Sequence, residues 1–203
     1  MNTLETGDII LFQGTGWISR IVEYVGKSRY SHVGMVVKDP KFLNPELENG
    51  IYLLDSCWYD LPDSEDHETK IGVQLHLLSD IMKECAAGSV QVRKVKCNRD
   101  EAFYTKLAEI HKEIHNKPYD LNPYDWLCAK FNMMCPYPPE TRFQKTTSFW
   151  CSALVSYIFC KLGLLESSVN WSLMAPKELS SESHLRFLCE VEKETSLNPE
   201  RVE

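Results

Sequence analysis

A cysteine at the start of a helix and a histidine at the start of a strand are the residues of this chain best suited to chemistry. The run WCSALVSYIF at 150–159 is strongly apolar. Thr147 or Ser148 can cap a helix there that runs to about Lys161, with Gly163 at its end. Cys151 then falls in the first turn, where unpaired N–H groups and the helix dipole favour an anion. A thiolate is the reactive form of cysteine, and a site that favours it suits a nucleophile. The same N–H groups can stabilise an oxyanion. The plainer alternative is a buried cysteine packed beside Phe149 and Trp150.

A thiolate nucleophile needs an imidazole partner. Six histidines are available. His32 opens the β-rich run HVGMVV at 32–37 and shares its period-2 face with Gly34 and Val36. A glycine beside it leaves room for a partner or a substrate. The plainer reading of His32 is a satisfied structural histidine. His67 lies in the acidic stretch DLPDSEDHE at 60–68, expected to be a solvated loop. His76 is placed at a strand end and His184 in a polar helical stretch, neither in a motif. His111 and His115 stand at i, i+4, a spacing able to bind zinc from one helix face. The zincin pattern wants Glu directly after the first His, whereas this run is HKEIH, and no third ligand is evident. No metal is therefore expected.

Stepping outward to the elements, Ile9 to Phe12, His32 to Val37, Ile51 to Ser56, Gly72 to His76 and Val90 to Val95 read as strands. Trp17, Ile18, Ile21, Val22 and Val25 mark one helix face, with Gly26 as its cap. Asp100 begins another helix, with Phe103, Leu107, Ile110 and Ile114 on one side and Pro118 ending it. Residues 118–147 form a long irregular segment with several aromatics, including Tyr119, Tyr124, Trp126 and Tyr137. The order implies an α+β fold, a small antiparallel sheet packed against helices.

Composition narrows the function classes. The chain has 203 residues, 43% hydrophobic and 25% charged, with a net charge of −7. One domain with a real core fits that length. An acidic balance argues against nucleic acid as a partner. The eight cysteines have irregular gaps and no CxxC pair. The N-terminus has no basic segment, its apolar run is too short for a signal sequence, and no stretch approaches the ~20 apolar residues of a membrane span. A cytoplasmic chain with reduced thiols and no transmembrane segment is expected.

The stretch GDIILFQGTGWISRIVEYVGKSRYSHVGMVV, residues 7–37, resembles the opening of the YiiX-like proteins. These are circularly permuted members of the papain-fold amidase superfamily that includes the NlpC-type enzymes. In that group a Gly-Asp-hydrophobic strand leads to Ser-His-Val-Gly, and a Cys-Ser-x-Leu-Val motif opens a helix much later. Here the second motif is WCSALVSYIF. The order His32 then Cys151 is the one permutation predicts. KPYDLN at 117–122 and MAPKEL at 174–179 match more loosely, so the resemblance spans about residues 7–180.

The resemblance implies a permuted papain-like domain over 1–190, followed by a charged, flexible tail at 191–203. It implies Cys151 as nucleophile and His32 as base, with no cofactor. The family commonly offers a Glu on the next strand to orient the histidine; this chain offers Asp55, one methylene shorter, with Asp60 and Gln74 as fallbacks. Tyr119 is a candidate near the oxyanion. Trp17, Tyr30 and Trp150 are candidates for the walls of the cleft, with core packing the plainer account. The implied reaction is hydrolysis of an amide (peptide or acyl-amide) or ester through an acyl-cysteine. Two alternatives stand beside it. One is a lipid-directed enzyme related to the lecithin:retinol acyltransferase group, whose Asn-Cys-Glu-His setting differs from Trp-Cys-Ser-Ala here. The other is an inactive papain-like binding module.

Overall fold

Four strands follow one another in space as they do in sequence: β1 (Ile9–Gln13), β2 (Tyr30–Lys38), β3 (Ile51–Trp58) and β4 (Ile71–Leu77). The computed structural model describes residues 3–14, 29–120 and 146–198. With β5 (Val90–Arg93) and β8 (Thr195–Ser196) the strands form a six-stranded antiparallel sheet in the order β4-β3-β2-β1-β5-β8. β6 (Val95–Lys96) and β7 (Glu190–Val191) pair separately. The structure is thus α+β with an antiparallel sheet packed against helices, as expected.

The strand runs are apolar on both faces because both faces are covered. Ile9, Leu11, Val33, Met35, Val37, Leu54, Val73 and Leu75 pack with two helices, α2 (Glu101–Ile114) and α3 (Cys151–Lys161). Ile10, Phe12, Val36 and Leu53 join a second cluster with Leu78, Ile81 and Met82 of α1 (Leu78–Lys83). The sequence pattern did not mark α1, whose single turn and a half is too short for a clear period.

α2 starts as its sequence dictates. The Asp100 side chain accepts a hydrogen bond from the Phe103 N–H at 3.0 Å, and Phe103, Leu107, Ile110 and Ile114 are buried. α3 starts differently from expectation. Its N-cap is Trp150, with no side-chain cap, rather than Thr147 or Ser148. Residues 151 to 159 are all buried, so packing rather than capping holds this helix.

The Gly7-Asp8 pair locks the start of β1. Gly7 takes φ +94°, a conformation that favours glycine. Asp8 is 1% exposed. It accepts hydrogen bonds from the N–H groups of Glu5 at 2.9 Å and Val95 at 3.0 Å, and pairs with Lys94. Arg93 donates to the carbonyls of Glu192 and Leu179, pinning the chain where the expected 90–95 strand divides into β5 and β6.

Three further expectations are corrected. Residues 190–197 do not fray: β7 and β8 pair with β6 and β5, and Leu197 is buried at 4% exposure. The backbone of that segment completes the sheet edge, and the Glu194 side chain is buried against Ser181 and Arg93. The loop at 60–68 is not wholly solvated, because Asp63 is buried and accepts from the Leu75 N–H at 3.1 Å. The region of His184 is irregular rather than helical. The helix expected over 17–25 and the stretch 121–145 lie outside the described residues.

Candidate active site

Neighbouring strands β2 and β3 bring His32 and Asp55 together. His32 Nε2 lies 2.7 Å from Asp55 Oδ2, with both side chains essentially buried. Gly34 makes this approach possible. A Cβ at Gly34 would lie 3.1 Å from Asp55 Cβ and 2.6 Å from Leu53 Cδ1. The short Asp55 side chain therefore reaches His32 across a position that carries none. A carboxylate oxygen accepts, so Nε2 carries the proton and donates.

Tyr59, just past the end of β3, completes the pair. Its hydroxyl donates to Asp55 Oδ2 at 2.8 Å and lies 3.3 Å from His32 Nε2. Its ring stands edge-on to His32 and to His76, with centroids 6.3 and 5.1 Å away. Phe12 packs on the imidazole at 5.4 Å. Sequence reading missed Tyr59 and also Cys57. The signal was present: Asp55, Cys57 and Tyr59 recur at every second position.

Cys151 is the first residue of α3 and is 5% exposed. The segment entering the helix is fixed from three sides. Ser56 Oγ of β3 donates to the Phe149 carbonyl at 2.6 Å. The Phe149 N–H donates to Pro118 O, and the Asp120 N–H donates to Phe149 O, at 3.0 and 3.2 Å. Trp150 Nε1 and Ser152 Oγ both donate to Met174 O, at 3.0 and 2.6 Å. The described part of one loosely matched segment, 117–120, and Met174 of the other thus hold the entry to α3. Segment 117–119 is itself docked on Gly72 of β4: the Val73 N–H donates to Lys117 O at 2.8 Å, and a Cβ at Gly72 would sit 2.3 Å from that oxygen.

The thiols and the imidazole act on one another. Burial alone pushes the His32 imidazolium down. The negative charge that Cys57 and Cys151 can carry, and hydrogen bonds with Asp55 and Cys151, outweigh it, so the imidazolium is held well above the usual histidine range. Burial pushes the Cys57 thiol up to about 12, against the pull of His32. The Cys57 thiol therefore keeps its proton near pH 7 unless His32 draws on it. Burial raises the Tyr59 phenol well above its ordinary value, with the charges of Asp55 and Cys57 adding to it. Burial raises the Tyr119 phenol, with Cys151 next, and the Tyr119 backbone bridges to Phe149, two residues before Cys151.

The remaining candidates fall elsewhere. Tyr30 and Trp150 are buried, 1% and 5% exposed, and Trp150 directly precedes Cys151. Gln74 lies opposite Asp55 across the β3–β4 ladder, but its Nε2 donates to Cys57 O at 2.8 Å. Asp60 is exposed. Trp17 is outside the described residues. Among the described residues six cysteines are all free, and no helix is long and apolar enough to cross a membrane.

Among solved structures the chain is similar to YiiX from Escherichia coli O157:H7, which is described as a metalloprotein. The two share 19% identity and a TM-score of 0.50, over 99% of this chain and 92% of that one. The chain has a YiiX-like fold. No protein-family model matches it, and no curated protein matches it.

Proposed function

We propose that the chain is a thiol hydrolase that cleaves an amide or ester bond through an acyl-cysteine intermediate. The observation that carries this reading is the buried His32–Asp55 hydrogen bond at 2.7 Å, with Cys151 in the first turn of α3 near enough for its charge to raise the same imidazole. Asp55 and Tyr59 occupy Nε2, which leaves Nδ1 for the thiol. His32 takes the Cys151 proton, and Sγ attacks the substrate carbonyl carbon. N–H groups of the first turn of α3 stabilise the oxyanion. The imidazolium then protonates the leaving amine or alcohol as the C–N or C–O bond breaks. Water, deprotonated by His32, attacks the thioester and releases the acid, and the thiol recovers its proton. Asp55 fixes the ring and stabilises the imidazolium, as the third member of a triad does. The unpaired cysteines fit a reducing compartment, and we assign the chain to the cytoplasm on that ground.

The description of YiiX raises a metal in this site. His32, Asp55 and Cys57 do offer ligand atoms within 4.8 Å of one another. They fit a hydrogen-bonded pair better. His32 and Asp55 are already in direct contact, and the Cys57 proton is held up to about 12. No step of the reaction is routed through a metal.

The test is a panel of peptidyl-amide, acyl-amide and ester substrates with the wild type, Cys151→Ala and His32→Ala. Turnover of at least one class is expected, with loss in both variants and a trapped acyl group on Cys151 by mass spectrometry. Full activity in either variant overturns the assignment.

A further inference from the structure

The acidic loop and the end of α2 meet at a cluster that the hydrolase site does not use. Glu65 lies between His111 and His115. Its Oε2 is 2.9 Å from His111 Nε2 and 3.2 Å from His115 Nδ1, while Oε1 is 3.1 Å from His111 Nε2. The Glu65 side chain is only 6% exposed, His111 is 5% and His115 is 31%. Oε2 is buried yet makes no hydrogen bond of acceptable geometry, although two imidazole nitrogens face it. The three ligand atoms all lie within 4.8 Å of one another. The i, i+4 histidine pair seen in the sequence lacked a third ligand, and Glu65, 46 residues before His111, supplies it.

We propose that Glu65, His111 and His115 bind a borderline first-row divalent cation, zinc in the first instance. Two imidazoles and one carboxylate are a common zinc donor set, and they disfavour the hard cations magnesium and calcium. Metal–ligand bonds of about 2.0–2.2 Å at tetrahedral angles set ligand atoms roughly 3.3–3.5 Å apart, so a small outward shift from the observed spacing admits the ion. Water fills the fourth position, on the exposed His115 side. The neighbouring cation, Lys70, is already neutralised by Asp63 at 3.0 Å and Asp66 at 2.6 Å. The site joins two segments that both lead to the hydrolase cluster. The loop begins at Tyr59, which holds Asp55, and the chain beyond His115 continues to Pro118 and Asp120, which hold the entry to α3. The bound ion is thus a clamp between them, separate from the reacting groups.

The experiment uses the full chain, equilibrated with zinc and freed of excess by gel filtration. One zinc per chain is expected by elemental analysis, and Glu65→Gln and His115→Ala should bind at least about tenfold more weakly, the least that loss of even an outer-shell partner produces. Cys57→Ser should retain the ion, which separates this site from the His32–Asp55–Cys57 donors. Cobalt in place of zinc should give visible ligand-field bands with no sulfur-to-cobalt charge transfer. Unfolding midpoints are recorded for every variant, and the wild-type cobalt spectrum decides the matter even where a variant fails to fold. Substoichiometric zinc in the wild type, zinc retained after His115→Ala, or a sulfur-to-cobalt band each overturns the proposal. The first of these outcomes would leave the cluster a histidine–carboxylate ion pair only.

Discussion

Asp55 is one methylene shorter than the glutamate that the resemblance led us to expect, and Gly34 makes up the difference. The departure in one strand is matched by an open position in its neighbour, so Asp55 reaches His32 at 2.7 Å. At this scale two outcomes are expected. Asp55→Ala should lower kcat/KM by about 10²–10⁴-fold, the span of a general base that loses its setting, measured on whichever substrate the panel identifies. Tyr59→Phe keeps the ring and removes one hydrogen bond to Asp55. It should cost about 0.5–1.5 kcal/mol of stability in urea unfolding and lower turnover less than Asp55→Ala does. An equal loss in the two variants would place Tyr59 among the reacting groups instead. Cys151 and His32 were legible in the sequence because each sits in a local motif. Cys57 and Tyr59 were not singled out, because a cysteine and a tyrosine at a strand end are ordinary core residues until a buried carboxylate is seen beside them.

Elements deliver Cys151 indirectly. α3 has no side-chain cap, so its first residue is positioned by the chain ahead of it: Ser56 from β3, the 118–120 segment, and Met174. The 118–120 segment in turn rests on Gly72. An alanine there would drive its Cβ into Lys117 O and would also take a φ of +149°. Gly72→Ala should therefore destabilise the fold by about 1–3 kcal/mol and slow iodoacetamide labelling of Cys151, although residue 72 touches neither thiol nor imidazole. Unchanged labelling in a folded Gly72→Ala protein would mean that α3 sets Cys151 by itself. The strands and α2 were legible in the sequence because their apolar periods are long and clean. The start of α3 was misplaced because serine and threonine are good caps in isolation, while here tertiary contacts do the capping residue's work. The tail was misread for a related reason: its charges suggested solvent, but its backbone pairs with β5 and β6 and one of those charges, Glu194, is buried against Arg93 and Ser181.

At the scale of the whole molecule, charge buried on folding links stability to pH. The His32 imidazolium is held well above its ordinary value. Its contribution is therefore fully present below the unfolded value of about 6.5 and is lost as pH rises through the folded one. Urea unfolding of wild type against His32→Gln should show a stability difference that shrinks as pH rises above the ordinary histidine value of about 6.5; a difference that grows as pH rises would reverse the sign of the coupling. Asp8 offers a second check. It is buried and ties the start of β1 to Val95 and Lys94. Asp8→Ala should cost about 3–5 kcal/mol, the range for removing one partner of a buried pair, read from the thermal midpoint. Its Gly-Asp signature was visible in the sequence, but the partners that explain it lie some 90 residues away and no local pattern names them.

The separation of contacts along the chain carries one further consequence. The His32–Asp55 bond joins residues 23 apart, whereas the Ser56–Phe149 bond that seats the start of α3 spans 93. At a ribosomal pace of roughly 5–20 residues per second, the second contact waits roughly 5–19 seconds longer than its first partner to be synthesised. His32 and Asp55, the proposed base and its carboxylate, can close as a hairpin while Cys151, the proposed nucleophile, has yet to be translated. On the proposed function, a nascent chain therefore carries no assembled reactive centre until the start of α3 is seated on Ser56.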